Sequence, residues 1–530
     1  MKRLLFIFLF ISCLSYSQQE HAWIYFKDKP NVEASLADPS LILSEEAIQR
    51  KALHNTPIDE RDVPVNEAYI SSLKEQEGIQ VMAKSKWFNC AHVIGELDAI
   101  SNLNTLEFVE KIEFANKNLQ DRSLNEEEKM VSKLDSHIDY DYGYSENQVT
   151  ILGTDFLHEN DLTGKGMVIA VLDAGFPNIE NLVAFEKLRS ENRLLGGYDF
   201  HNRSDFFTNP GLSNHGTLVL STMAAFLEQQ LIGTAPDASY YLFRTEVGAS
   251  ETPVEESYWV EAAERADSLG VDIINSSLSY AIFDNPDYSY SMDDMDGETA
   301  FVSRGANIAT EKGILVVVSA GNSGQSETFP KVGAPADANV LTVGAVDKDR
   351  NYVPFSSIGP TADGRIKPDV MSQGLAVVAA DEENNLVSVS GTSFSSPIMA
   401  GSIASLWQKN PSRTNLEIMQ LVRESSSLFD NPNFRFGYGI PDFEKAYSSL
   451  IIENTDSEFA ISPNPVTDIL KFRKPGSQNY NVTLFDLQGQ KILEKENVQN
   501  EIDLSGFSRG IYIAMFEQNN FRKSFLIIKK

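Results

Sequence analysis

The chain changes texture three times along its length. Between residue 18 and about 117, short apolar runs at Ala22–Phe26, His92–Ile94, Phe108–Val109 and Ile112–Phe114 alternate with helix-periodic stretches around Leu43–Leu53 and Ala99–Leu103. Strand-length runs beside a 3.6-residue period predict a small α+β domain. Residues 118–147 are polar and acidic, with Asn125–Lys129 and Asp139–Gly143 as examples, and predict an exposed linker open to proteolysis. From about 148 to 449 buried runs recur at Met167–Leu172, Tyr240–Arg244, Val271–Ile274, Ile314–Val318 and Val340–Val343. Helical patterns stand between several of them, at Glu255–Leu269, Ala300–Lys312 and Ser395–Lys409. This βα alternation predicts a mainly parallel sheet sandwiched by helices, with ligands at the carboxyl ends of the strands. Beyond about Glu453 the helical period is lost. Short strands at Val482–Asp486, Ile492–Leu493, Gly510–Phe516 and Ser524–Ile528, separated by turns such as Gln488–Gln490, predict a C-terminal β-sandwich.

The N-terminus has a different logic. Lys2 and Arg3 precede an apolar core running from Leu4, and Ser15 and Ser17 follow it. A core of about 11 residues is too short for a bilayer of about 30 Å, so residues 1–17 read as a secretory signal peptide. No other run of about 18 apolar residues occurs, so no integral membrane segment is expected in the mature chain. The 530 residues carry 44 Lys plus Arg against 75 Asp plus Glu, a formal charge of −31. Such a balance opposes nucleic acid and anionic lipid as partners. It predicts faster encounter with basic than with acidic substrates at low salt. The two cysteines, Cys13 and Cys90, lie in segments expected to be removed, which excludes a disulfide framework for the mature chain.

Four stretches of the middle region carry chemistry. Asp173 closes the strand 167–172, His215 opens an apolar helical run within Asn214–Thr217, and Asn322 lies in the glycine-rich stretch Ser319–Gly324 after a buried strand. Ser393 lies in Gly391–Gly401 at the mouth of a helix, where the dipole and free N–H groups favour a developing anion. Singly, each is an ordinary cap or turn residue. Together they give the order Asp, His, Asn, Ser on strand ends and helix starts, the triad order of subtilisin and not that of chymotrypsin or the α/β-hydrolases. No G-x-S-x-G elbow occurs.

On these residues the stretch from about 148 to 449 resembles the subtilisin-like serine peptidases. Val168–Gly175 is similar to the family's Asp block, His215–Thr217 to its His block, Ser319–Gly324 to its oxyanion block and Gly391–Pro397 to its nucleophile block. Gly233–Pro236, Asn275–Leu278, Leu341–Val346, Phe355–Pro360 and Gly364–Asp369 support the match. The resemblance implies Ser393 as nucleophile, His215 as general base and then acid, Asp173 as the carboxylate that fixes the imidazole, and Asn322 as an oxyanion donor. It also implies that Ser277, Leu278 and Ser279 bind the substrate as an added strand. The chain departs from the pattern at Ala174, at Leu218–Ser221 after the His block, and at Ser279 and Tyr280, where the family often has Gly-Gly.

The resemblance gives the outer regions roles. Residues 18–147 become a propeptide domain and linker whose own chain inhibits the cleft until the linker is cut. Residues 453–530 resemble a type IX secretion sorting domain through Ser462–Val466, Leu484–Gln490, Leu504–Gly506, Gly510–Tyr512 and the basic end at Lys529 and Lys530. The expectation is a secreted or surface serine endopeptidase of a Gram-negative bacterium, made as a zymogen, with protein or peptide substrates and the type IX machinery as partners. A catalytically inactive surface binding protein on the same fold, and an exopeptidase or other acyl hydrolase, are the alternatives. No cofactor is needed for the chemistry. Asp293, Asp294 and Asp296 are candidates for structural calcium, against a solvated acidic loop.

Overall fold

In the computed structural model the described residues are 19–117, 140–248, 250–457, 460–462, 466–473, 479–485, 491–518 and 521–530. The signal peptide, most of the expected linker and the turn at Gln488–Gln490 therefore lie outside them. The described residues divide into two compact units, the second beginning at Tyr447.

The first unit begins with an antiparallel sheet of β1 (Gln19–Phe26), β2 (Ile79–Ser85), β3 (Cys90–Glu96) and β4 (Val109–Phe114) in the order β2-β3-β1-β4. Helices α1 (Val32–Ala37), α2 (Glu45–Leu53), α3 (Glu67–Lys74) and α4 (Leu97–Asn102) accompany it. The period of two sorts its faces. Ala22, Ile24, Phe26, Ala91 and Val93 pack with Ile70, Leu73 and Ile100 of the domain's own helices. Trp23, Tyr25 and Cys90 point the other way, into a core shared with residues 254–309.

The larger sheet contains β5 (Val168–Asp173), β6 (Leu194–Asp199), β9 (Ser239–Arg244), β10 (Ile273–Ser276), β11 (Leu315–Ser319), β12 (Leu341–Val346) and β13 (Val370–Gln373). Their order is β13-β12-β11-β10-β5-β9-β6, and every neighbouring pair is parallel. The pairs β7 (Phe226–Leu227) with β8 (Leu231–Ile232), and β14 (Val377–Ala380) with β15 (Leu386–Val389), form small hairpins. The central strands are buried on both faces, which is why they read as unbroken Val, Ile and Leu runs. The helices are α5 (Glu146–Thr150), α6 (Thr154–Glu159), α7 (Glu186–Ser190), α8 (His215–Ala224), α9 (Val254–Ser268), α10 (Phe301–Glu311), α11 (Thr392–Trp407), α12 (Asn415–Ser425) and α13 (Phe443–Ser457). Helices α8 and α11 pack together against the sheet, as do α9 and α10.

Two strands of the larger sheet, β6 and β13, escape the sequence pattern, as does β2 of the first sheet. The exposed linker is also shorter than expected: Tyr142 is buried with its hydroxyl bonded to His158 Nδ1 at 2.8 Å, and Gly143 bridges to Leu231. Tyr142 stacks on His158 and Tyr140 meets the same ring edge-on, which ties this end of the segment to the core while Asp141, Tyr144, Glu146 and Asn147 stay exposed.

The second unit has a three-stranded sheet of β16 (Ala460–Ser462), β17 (Ile469–Arg473) and β20 (Glu501–Asp503). A four-stranded one comprises β18 (Tyr480–Phe485), β19 (Lys491–Val498), β21 (Gly510–Gln518) and β22 (Phe521–Lys529). Leu470, Phe472 and Ile502 of one sheet share a core with Val482, Leu484, Ala514 and Phe516 of the other, the sandwich expected.

Candidate active site

Asp173 is the last residue of β5, between β9 and β10, so its carboxylate stands at the carboxyl edge of the sheet. It is fully buried, and its Oδ1 accepts the Ala174 N–H and meets His215 Nδ1, each at 2.7 Å. Oδ2 is buried with no hydrogen-bond partner among the described residues.

His215 is the first residue of α8, and its side chain is about one third exposed. A Cβ on the next residue, Gly216, would lie 2.5 Å from the Gly175 carbonyl oxygen, so only glycine lets the helix start this close to the strand end. The Asp173 carboxylate holds the imidazole pKa above its ordinary value, outweighing burial. The residues after the His block pack well: Val219 and Leu220 are fully buried, and Ser221 bonds the Leu218 carbonyl and the Ala380 N–H.

Ser393 is the second residue of α11, entered through Gly391 at φ 152°, which favours glycine. Four residues on, Pro397 has no N–H to give to the Ser393 carbonyl. The Ser277 hydroxyl donates to that carbonyl instead, at 2.9 Å. The Ser393 hydroxyl in turn donates to the Ser277 carbonyl at 3.4 Å and makes no bond to His215. Catalytic hydrogen bonds commonly tighten only with substrate present. The Phe394 ring lies 5.8 Å from the imidazole, centroid to centroid.

Asn322 follows β11, after Gly321 at φ 94°. Its Oδ1 accepts the Thr392 N–H at 2.9 Å and the Thr392 hydroxyl at 3.1 Å. The amide is thereby oriented with Nδ2 unbonded among the described residues, beside Gly391, whose Cβ would stand 3.4 Å away. Ser277–Ser279 continues from β10, with Ser277 buried, Leu278 half-buried and Ser279 exposed.

The four expected groups thus converge on the strand-end crevice, with Ser277–Ser279 along one side. The sequence reading missed Thr392, which orients Asn322, and the relay in which Ser396 donates to Asn275 and Asn275 to Ser277. Their signal was present in Gly391–Pro397 and Asn275–Leu278.

Two of the three calcium candidates are engaged by their own turn. Asp294 accepts the Ser291 N–H and hydroxyl and pairs with Lys117, while Asp296 caps Glu298, Thr299 and the Thr299 hydroxyl. Asp293 is exposed. Among the described residues no group of three or more metal-ligating side chains occurs, and no helix is long and apolar enough to cross a membrane.

Comparison with known proteins agrees with this architecture. A model of the subtilase family matches residues 164–439, a peptidase S8 propeptide domain of Bacteroidota matches 21–132, and a secretion system C-terminal sorting domain matches 460–530. The chain belongs to the subtilase family, whose members are serine peptidases; its propeptide and sorting domains mark it as exported to the medium or cell surface. Subtilisin Savinase from Lederbergia lenta is 30% identical over 54% of this chain and 93% of its own length. An alkaline protease from Alkalihalobacillus alcalophilus is also 30% identical, over 54% of this chain and 66% of its length. Subtilisin DY from Bacillus licheniformis is 28% identical over 56% of this chain and 97% of its own.

Proposed function

We propose that the protein is a secreted serine endopeptidase made as a zymogen, in which Ser393, His215 and Asp173 form the triad. The observation that carries this reading is the 2.7 Å bond from buried Asp173 to His215, at a crevice shared with Ser393 and an oriented Asn322. A serine hydroxyl attacks an amide only if a base near neutral pKa takes its proton, and the resulting imidazolium needs a neighbouring negative charge. His215 supplies the base and Asp173 the charge. As Ser393 Oγ adds to the carbonyl carbon, the oxyanion takes a hydrogen bond from Asn322 Nδ2 and another from the Ser393 N–H. His215 then returns the proton to the leaving amine, and water releases the acyl group by the reverse sequence. The free edge of Ser277–Ser279 holds the substrate backbone by main-chain bonds. The chemistry so written requires no cofactor.

Domain 18–147 acts as the inhibitor and folding partner, and cutting between 118 and 147 frees the enzyme. The type IX machinery reads 453–530. The test is turnover: Ser393→Ala in the full chain abolishes cleavage of a protein substrate and of its own linker, while the wild type performs both. A folded, exported wild type that cuts nothing would leave the binding-protein reading.

A further inference from the structure

We propose that the groove between β2 and α9 binds an acidic peptide in extended form, paired to the free edge of β2. Only the loss of this site on maturation rests on the zymogen reading above. β2 is an edge strand of the first sheet, and its residues 80–84 form one wall of a cleft of about 710 Å³, within the size range of ligand sites. The facing wall is the side of α9 that carries Tyr258, Glu261, Arg265 and Ser268, spaced three and four residues apart. Ten residues of helix and five of strand each span ~15 Å, so the two walls match a peptide of about five extended residues. Apart from its ladder to β3, the backbone of residues 80–84 takes one bond from a described residue, the Arg203 guanidinium donating to the Met82 carbonyl. The other outward N–H and C=O groups are those a further strand pairs with.

The charge of the lining selects the peptide. Five cations, Lys74, Lys84, Lys86, Arg203 and Arg265, meet three acids, Glu67, Glu261 and Glu264, in a chain whose overall charge is −31. All three acids are engaged. Lys84 pairs with Glu67 and Arg203 with Glu261, while Glu264 accepts from Ser85, Lys86 and Trp87. Burial also raises the pKa of Glu261 and Glu264, which favours their neutral forms. Lys74 and Arg265 are left with no ion pair to a described residue, so the cleft is a basic site on an acidic protein.

Arg265 is set up to take a carboxylate. Its guanidinium lies 4.4 Å over the Tyr198 ring, which fixes its plane and leaves its N–H fork unused. Lys86 Nζ donates to Ser268 Oγ at 2.7 Å, one helical turn from Arg265, which brings a second cation beside the first. Along an extended peptide every second side chain falls on one face. Alternating acids therefore meet the cations, and the residues between them meet the apolar lining of Ile70, Val81, Phe200 and Tyr258. One wall belongs to the propeptide domain and the other to the catalytic domain. The site is complete only while the two are docked, so a bound peptide ties them together and delays their separation.

The test is fluorescence polarisation of a labelled Glu-Val-Glu-Val-Glu peptide with the full chain carrying Ser393→Ala, so that neither linker nor peptide is cut. Saturable binding is expected, about ten-fold weaker in Arg265→Gln and roughly three-fold weaker in Lys74→Gln, an exposed position where folding is not at stake. Affinity should fall as salt rises. The Gln-Val-Gln-Val-Gln peptide should bind about ten-fold more weakly or worse, and proline at its centre should remove the strand pairing. Wild type that has shed its propeptide and been inactivated with a phosphonate should not bind. Equal affinity for the Glu and Gln peptides, no effect of Arg265→Gln, or undiminished binding to the propeptide-free enzyme overturns the proposal. So does equal affinity for citrate, which assigns the cleft to free anions, or a dimer that the peptide dissolves, which assigns it to a second copy. A wild type that never sheds its propeptide overturns the zymogen reading alone and leaves binding to the full chain untouched.

Discussion

The cleft and the propeptide contact hold polar groups by opposite means. In the cleft each group sits on a strand end or helix start and is fixed by one or two neighbours, with His215, Ser393 and Asn322 open to solvent above buried Asp173: Thr392 orients Asn322, and Ser277 holds Ser393. At the propeptide contact the charges are withdrawn from water. Asp267 of α9 pairs with Arg50 at 2.6 Å and Lys51 at 2.8 Å, while Lys312 reaches Asp62 at 2.7 Å and Asp59 at 2.8 Å. Lys51, Asp62, Asp267 and Lys312 side chains are at most 1% exposed. Around them Trp23 stacks on Phe301 and donates to Ser257, and Glu264 accepts from Ser85, Lys86 and Trp87. Groups meant to react stay reachable and retain an unused donor or lone pair. Groups meant to grip are desolvated and ion-paired with one another, so that losing one strands the others.

Removing one member of each set separates the two designs. Asp267→Ala leaves Arg50 and Lys51 buried without their shared partner. It should weaken propeptide docking by about 3–5 kcal/mol, read as a lower unfolding temperature and faster propeptide loss, with peptide turnover of the released enzyme unchanged. Asn322→Ala should do the reverse, costing roughly 3–4 kcal/mol of barrier in kcat with docking and unfolding unaltered. Equal effects of either variant on both readouts would erase the distinction.

How far each region can be read from sequence follows the same division. The cleft was legible because Asp173, His215, Asn322 and Ser393 each sit in a local motif that a strand end or helix start presents. The ion network was not, because Arg50 and Asp267 are 217 residues apart and neither stands in a pattern. The buried runs exposed β5, β9, β10, β11 and β12. Strand β6 hid behind Gly196 and Gly197 and its half-buried position at the sheet edge, and β13 behind its buried but polar Ser372 and Gln373. The acids at 293–296 left two readings open, because a cluster that caps its own turn has the composition of a cation site.

Acid should loosen the contact by a route the cleft lacks. Burial lowers the His21 pKa to about 4 and pushes His92 well below its ordinary value; the two rings meet at 3.0 Å, and His92 also bonds Ser257. Released, they titrate near 6.5. The docked state binds fewer protons between these values, so docking stability is fully present above pH 6.5 and declines toward pH 4, by up to about 1.4 kcal/mol per unit and histidine. Glu264 works in the opposite sense: burial raises its pKa, so docking takes up a proton and weakens as pH rises above the ordinary carboxylate range. His92→Gln should flatten the decline below pH 6.5 in pH-dependent unfolding of the full chain; an unchanged slope would assign the acid effect elsewhere. In the cleft, by contrast, turnover should rise as the raised His215 pKa is passed and the imidazole becomes free to accept a proton.

The smallest expected effect is electrostatic steering by the charge of −31. At low salt basic peptides should be cleaved faster than acidic ones, with the gap closing as ionic strength rises. Equal salt dependence for the two would remove net charge from the account.

The central claim is that Ser393 is a nucleophile activated by His215 and Asp173. Its most direct test is covalent labelling of the full chain with a phosphonate serine probe, the modified residue located by mass spectrometry, alongside Ser393→Ala and Asp173→Asn. The account predicts a single adduct on Ser393 in wild type, none in Ser393→Ala, and labelling slowed by orders of magnitude in Asp173→Asn. A folded, propeptide-free wild type that takes no label, or takes it at another serine, would contradict it.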